Sequence, residues 1–489
     1  MWASPAASIP IPGGGRGPGP GPGEYSPNGK AHVFSAHSPS TTATPSSSPP
    51  RGGHKLLRPL TICQRIEAKK VPWRQLKKEY GPLLGLVEQV IGVVPYCDPF
   101  LAIWPAGFRT YNALVPSLFN MPSLLMGRTG RRIKPLVGLA AYTSSRAAGC
   151  MYCSAHTCAF ALKRGASIDA VAGNHSESEA AAAAMGEALG NVPASLTRAH
   201  LDEMARHVEN DMEVQWVAYA GVMMGFLNKF MDVMGVELEA ESVNMVRTII
   251  EPTGWTVGKH VAEGEYPDEV VEATVDSLGT YVRILRHAPG AVKLEWRWTR
   301  KIPDDNAGAR EFLEREVGFS FAVVDHIGPG RVLKAVAAVL RDNLSAEQSV
   351  IGLDAKCLAA IIFAMTVRND RLEADALRLA KVLAPNCGAD VIDGVLAYAS
   401  SLTLDDRAAD PPPASLDGKM RAAVVLARAA SPSPSLVQDE VVEEVARDLS
   451  AEEVVEMVTW LSVLQMLHRF DIFHFVRGDM TTDASSSGR

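Results

Sequence analysis

This 489-residue sequence contains no run of 18 consecutive apolar residues. A bilayer-spanning helix needs about 20, and the longest apolar stretches, Trp216–Leu227 and Leu358–Val367, have the length of buried helices. A membrane-spanning protein is excluded. Cysteine is also scarce, at seven in the whole chain and an odd number, too few for a disulfide scaffold. No secretory apolar segment follows Met1. The sequence therefore predicts a reducing compartment, cytoplasmic, or organellar if residues 1–56 act as a transit peptide. In such a compartment closely spaced cysteines serve redox chemistry or metal more often than a structural bridge. Acid is nearly absent at the start. Residues 1–58 hold only Glu24 against Arg16, Lys30, Arg51, Lys55 and Arg58, so a net charge of −7 leaves about −11 on the rest. A body that acidic does not suit a general nucleic-acid binder or a protein that coats anionic membranes.

Four segments are expected. Residues 1–56, with GGGRGPGPGPG and STTATPSSSPPRGG, cannot bury enough apolar surface to offset the entropy of ordering, and residues 481–489 read as a second disordered tail. The body between them predicts an all-α fold. Ala-rich runs with i, i+3, i+4 periodicity, ended by Gly or Pro, recur at Lys134–Ala148, Glu177–Leu189, Thr197–His207, Glu213–Val233, Ala355–Val367, Arg371–Leu383, Lys419–Ala429 and Ala451–Val476. Only Ala291–Trp298 and Phe319–Val324 read as extended.

The body also repeats itself. Residues 195–230 lie on 435–470 at an offset of 240, matching Ser195-Leu196 with Ser435-Leu436, Glu213-Val214 with Glu453-Val454, and Leu227-x-Lys229-Phe230 with Leu467-x-Arg469-Phe470. An offset of 220 lays Ala140–Lys163 on Ala360–Leu383, and Tyr111…Met121-Pro122 resembles Tyr281…Ala288-Pro289. The changing offsets place an insertion within Pro303–Asn343. Two helical repeats are expected, over 57–245 and 246–480.

The densest chemistry is Gly149-Cys-Met-Tyr-Cys-Ser-Ala-His-Thr-Cys158. Gly149 breaks the preceding helix, so Cys150 should open a new one, where the dipole favours thiolate. Cys153 lies one turn on, and His156 three residues further on the same face, placed to take a thiol proton or to hold a thiolate as its cation. From Pro99 to Ile168 there is no acid and there are eight bases, with Arg146 one turn before Cys150. Such a field would lower a thiol pKa, unless those bases pair with acids elsewhere. A zinc site on Cys150, Cys153, His156 and Cys158 is the competing reading, weakened because no second ligand pair exists. Inert core cysteines are the other; Cys63, Cys97, Cys357 and Cys387 are isolated and read as packing residues, and His468 as structural.

These residues resemble the alkyl hydroperoxidase D/carboxymuconolactone decarboxylase family. The likeness runs through Gly149–Thr157 and Ala159–Ser167, the entry helix Leu114-Val-Pro-Ser-Leu-Phe-Asn-Met-Pro, and the terminal helix Phe226–Asp232 with Gly235-Val-Glu-Leu238. It covers about 108–240, with a weaker copy over 275–475. The resemblance implies a helical bundle in which Cys153 is the peroxidatic thiol, Cys150 resolves it and His156 belongs to the proton relay. It also implies a relay carboxylate near Gly138. No acid stands there, so either a residue such as Glu177 or Glu203 supplies it from another helix or activity is weak. In the second copy Cys150, Cys153 and His156 fall on Asp370, Glu373 and Ala376, which predicts a structural partner.

The function expected is a thiol peroxidase, acting on a small hydroperoxide through a Cys-x-x-Cys cycle. A dithiol donor of thioredoxin-like or lipoyl type would reduce it, with no metal or organic cofactor, in a homo-oligomer without nucleic-acid or membrane partners. The rivals are a lactone decarboxylase-like acid/base enzyme and a non-catalytic scaffold with a redox-sensing CxxC.

Overall fold

The computed structural model of the protein describes residues 59–125, 132–261, 275–385, 387–400 and 412–480. The expectations for the two tails, residues 1–56 and 481–489, lie outside these. Among the described residues there are α-helices and short 3-10 turns and no strand, so the all-α expectation holds. None of the described helices is long and apolar enough to cross a membrane. The described residues belong to one compact unit, and their buried side chains join in one hydrophobic core.

At the centre lie two long helices, Asp211–Met234 and Ala451–Arg477, packed along one another. Both are buried on nearly every side, which is why their sequences are apolar all round rather than striped. Each starts on a side-chain cap at the same offset of 240. Asn210 Oδ1 accepts from the Glu213 N–H at 3.1 Å, and Ser450 Oγ from the Glu453 N–H at 3.3 Å. Close approach needs a residue without a side chain at Gly225, where a Cβ would stand 2.9 Å from Arg469 Cδ.

The two halves of the body hold each other through cations 240 positions apart. Lys229 Nζ donates to the carbonyls of Ala430, Ser431 and Pro432 at 2.5, 2.8 and 2.6 Å, at the end of helix Gly418–Ala430. Arg469 Nη2 reaches the Gly190 carbonyl at 3.3 Å, at the end of helix Glu177–Gly190. Lys229 and Arg469 differ by 240 positions, and so do Gly190 and Ala430. Each half thus sends a cation onto the carbonyl end of a helix in the other, where the dipole is negative.

Burial has a consequence for Lys229, whose pKa it lowers to about 7 against the pull of Asp232. The unfolded lysine, near 10.4, binds more protons than the folded one between those values. Stability should therefore rise with pH from about 7 towards 10. Lys229→Met is expected to flatten that rise, read as the slope of melting temperature against pH; an unchanged slope would assign it to another group.

Three sequence readings are corrected here. Ala291–Trp298 is not extended but the last turns of helix Leu278–Thr299, which continues through Pro289, and Phe319–Val324 runs into the 3-10 turn Ala322–His326. The upstream block of the repeat also fails. Tyr281 and Pro289 share one helix, whereas Tyr111 lies in Pro105–Leu118 and Pro122 beyond its end.

Candidate active site

Helix Ile133–Ala147 ends at Ala148, and Gly149, at φ 68°, turns the chain into helix Met151–Lys163. That left-handed turn is the reason for a glycine there. Cys150 becomes the N-cap, and its Sγ accepts the Cys153 N–H at 3.4 Å, as a serine oxygen would in an ordinary cap. The cysteine helix packs tightly on its predecessor. A Cβ on Gly138 would come within 2.6 Å of Ala161 Cα, so the position where the family resemblance calls for an acid has no room for one.

The carboxylate that meets His156 is neither Glu177, which is exposed, nor Glu203, which pairs with Arg206 and His207. It is Glu239, 1% exposed, immediately before helix Ala240–Ile250. His156 Nε2 lies 2.8 Å from Glu239 Oε2. The Tyr152 hydroxyl and the Tyr96 N–H donate to Oε1 at 2.8 and 2.6 Å. Burial opposes ionisation of this carboxyl, but His156 and the hydrogen bonds outweigh it and hold its pKa below the ordinary value. Tyr152 packs against the imidazole at 4.5 Å between ring centres, the two rings tilted by 36°. The arrangement fixes one imidazole nitrogen on a carboxylate, as acid/base dyads do.

Cys153 and His156 both line one pocket of about 590 Å³, the open solvent at its mouth included. Its walls are otherwise almost wholly apolar, with Tyr111, Val115, Phe119, Phe160, Met224 and Leu227 among them. All seven cysteines are free and buried. The Cys153 thiol is pushed well above its ordinary pKa, first by burial and then by Cys150, Cys97 and Asp232. This reverses the expectation of a field-lowered thiol. Two of the bases that were to provide the field are paired with acids, Arg109 with Asp342 at 2.9 Å and Arg164 with Asp276 at 3.1 Å, while Arg146 donates to the Thr253 hydroxyl and carbonyl, each at 2.9 Å.

Two buried cations interact with the cysteines, Lys229 with Cys150 and, from the second half of the chain, Arg469 with Cys153. Arg469, fully buried, donates to Ser144 Oγ at 2.8 Å and the Gly221 carbonyl at 2.7 Å. Burial lowers its pKa to about 9, with the Cys153 charge acting in the opposite direction. Among the described residues no three His, Cys, Asp or Glu side chains gather as a metal-ligand set.

The second repeat has the same backbone turn and different chemistry. Asn369 is the N-cap of helix Asp370–Leu383, accepting the Leu372 N–H at 3.1 Å as Cys150 accepts that of Cys153. The structural partners of Cys150, Cys153 and His156 are therefore Asn369, Leu372 and Asp375. The sequence alignment onto Asp370, Glu373 and Ala376 is one residue out of register. Asp375 accepts from the Ala322 N–H and from Arg378 at 2.9 and 2.6 Å, and Asn369 donates to Asp471, which also holds Arg371. His468, with Nδ1 3.0 Å from Asn369, is lowered to about 3 by burial and stays neutral. Asp375 and Asp471 are held here in ion pairs with Arg378 and Arg371. Asp375→Asn is expected to leave any turnover at Cys153 within about threefold of wild type, ~0.65 kcal/mol in barrier; a hundredfold loss in steady-state assay would make the second repeat part of the machinery.

No protein-family model and no curated protein matches the chain. Two solved structures of the debrominase Bmp8 are similar to it. One is the apo form, at 23% identity over 40% of this chain and 97% of that one, with a TM-score of 0.29. The other is a cysteine-to-alanine variant in complex with 2,3,4-tribromopyrrole, at 22% identity over 41% and 97%, with a TM-score of 0.30.

Proposed function

We propose that the protein is a thiol-dependent peroxidase of the alkyl hydroperoxidase D type. The observation that carries this reading is an apolar pocket lined by Cys153 and His156, with Cys150 capping the helix behind Cys153 and Glu239 holding the imidazole. A raised thiol pKa leaves little thiolate at neutral pH, so the thiol needs a base beside it. His156 takes the Cys153 proton, and Glu239 stabilises the imidazolium that forms. The thiolate attacks one oxygen of a hydroperoxide ROOH. The O–O bond breaks, the sulfur becomes sulfenic acid, and the proton leaves with the alkoxide as ROH. The Cys150 thiol then displaces hydroxide from that sulfur, giving water and a Cys150–Cys153 disulfide. An external dithiol reduces this bond and is itself oxidised. The apolar walls suit an alkyl hydroperoxide better than a strongly charged one.

A second reading, an acid/base enzyme of the carboxymuconolactone decarboxylase type, is favoured by the dyad alone, since His156 and Glu239 could move a substrate proton without either thiol. Mass spectrometry before and after one equivalent of an alkyl hydroperoxide separates the two. A Cys150–Cys153 link formed in step with peroxide loss supports the peroxidase, and unchanged thiols with intact peroxide overturn it.

A further inference from the structure

Helix Leu278–Thr299 lies against helix Trp73–Ile91 through a narrow inner face. Ile284 and Ala291 are buried there, and a Cβ on Gly290 would stand 2.5 Å from Pro82 Cβ. Its outer face carries an apolar stripe that none of the described residues covers. Leu278, Val282, Leu285, Val292 and Trp296 are 81, 61, 60, 52 and 56% exposed, and Pro289 is exposed with them. Single exposed hydrophobics are ordinary, but these follow spacings of four, three, four, three and four residues. That is the 3.5-residue period of a helix–helix seam, sustained along a 22-residue helix. We propose that this seam docks an amphipathic helix of a partner protein whose flanks are acidic.

Charge selects the occupant. Arg286, Lys293 and Arg300 recur every seven residues along the open side of the seam, and all three are exposed. The opposite side is already committed to the fold, with Glu295 on Arg331 at 2.6 Å and Tyr281 on Lys134 at 3.3 Å. An incoming helix therefore meets a row of cations and matches it with Asp or Glu. A second copy of this chain would bring the same cations against themselves. A lipid surface calls for a broad apolar face, whereas this one is a stripe bounded by bases.

The test uses a labelled synthetic peptide of three heptads, with Leu at both core positions and Glu at the flanks, and its twin with Lys for Glu. The intact protein should bind the Glu peptide in fluorescence anisotropy and reject the Lys twin. Binding should weaken at least tenfold as the Debye length shrinks from ~30 Å at 0.01 M salt to ~3 Å at 1 M. Leu285→Glu and Trp296→Glu should each abolish binding without moving the melting temperature, because both side chains face solvent. Equal binding of the two peptides, or none, overturns the proposal. So does seam-dependent capture by phosphatidylserine vesicles, or a dimer in sedimentation that Leu285→Glu dissociates.

Discussion

Cys153→Ser is expected to abolish hydroperoxide turnover altogether, because a serine hydroxyl cannot be oxidised to a sulfenic acid. Cys150→Ser should behave differently. Its Cys153 still reacts once, and the sulfenate then persists for lack of a resolving thiol, where a dimedone-type probe can trap it. The contrast follows from placement: Cys153 lines the pocket, and Cys150 lies behind it as the helix cap. The rate of the single Cys153 reaction should climb with pH through the neutral range and beyond, since burial has raised that thiol's pKa. Stopped-flow consumption of peroxide by the reduced protein measures it. Sulfenate trapped on Cys150 when Cys153 is removed would move the nucleophile to the cap. If neither substitution alters peroxide loss, the peroxidase reading fails.

What the sequence revealed of this site was what is local in it. Cys150, Cys153 and His156 lie within two turns of one helix, so their mutual placement follows from helical geometry alone. The bundle was legible for the same reason: runs such as Glu177–Leu189 and Ala451–Val476 coincide almost to the residue with helices Glu177–Gly190 and Ala451–Arg477. What escaped was contact across the fold. Glu239 meets His156 from 83 positions away, and its only local sign is an acid directly before a short helix. The run Gly235-Val-Glu-Leu238 stops one residue short of it. Arg469 was visible as the counterpart of Lys229, but not as a neighbour of the cysteines. The register error in the second repeat has a definite cause. Arg368 adopts φ 54° where the first repeat has Gly149, so the helix break that the glycine signals in one copy carries no such mark in the other. The misplaced basic field is a further case: Asp342 and Asp276, which neutralise Arg109 and Arg164, lie more than a hundred residues along the chain.

Glu239→Gln should be the most damaging substitution outside the cysteine helix. A glutamine of nearly the same shape can still accept from the Tyr96 N–H and the Tyr152 hydroxyl through its oxygen. Its amide then faces His156 as a donor, so Nε2 must accept and the ring proton moves to Nδ1. The imidazole is left in the wrong tautomer, and its cation loses the carboxylate that stabilises it. The loss expected in sulfenate formation is about 10²–10⁴-fold, the scale on which misoriented acid/base histidines fail. Stability should fall less, by about 1.5–3 kcal/mol for a buried charge-assisted hydrogen bond, with a further pH signature. The wild-type carboxyl has a lowered pKa in the fold, so its contribution is present above the unfolded value of about 4.3 and fades as pH drops through the folded one. Glu239→Gln should remove that acid limb from a plot of melting temperature against pH. A variant that loses the limb but keeps the rate would make Glu239 a holder of Tyr96 and Tyr152 alone. One that loses the rate while its Cys153 still alkylates at the wild-type pace would place the defect in protonation of the departing alkoxide, the other half of the work assigned to His156.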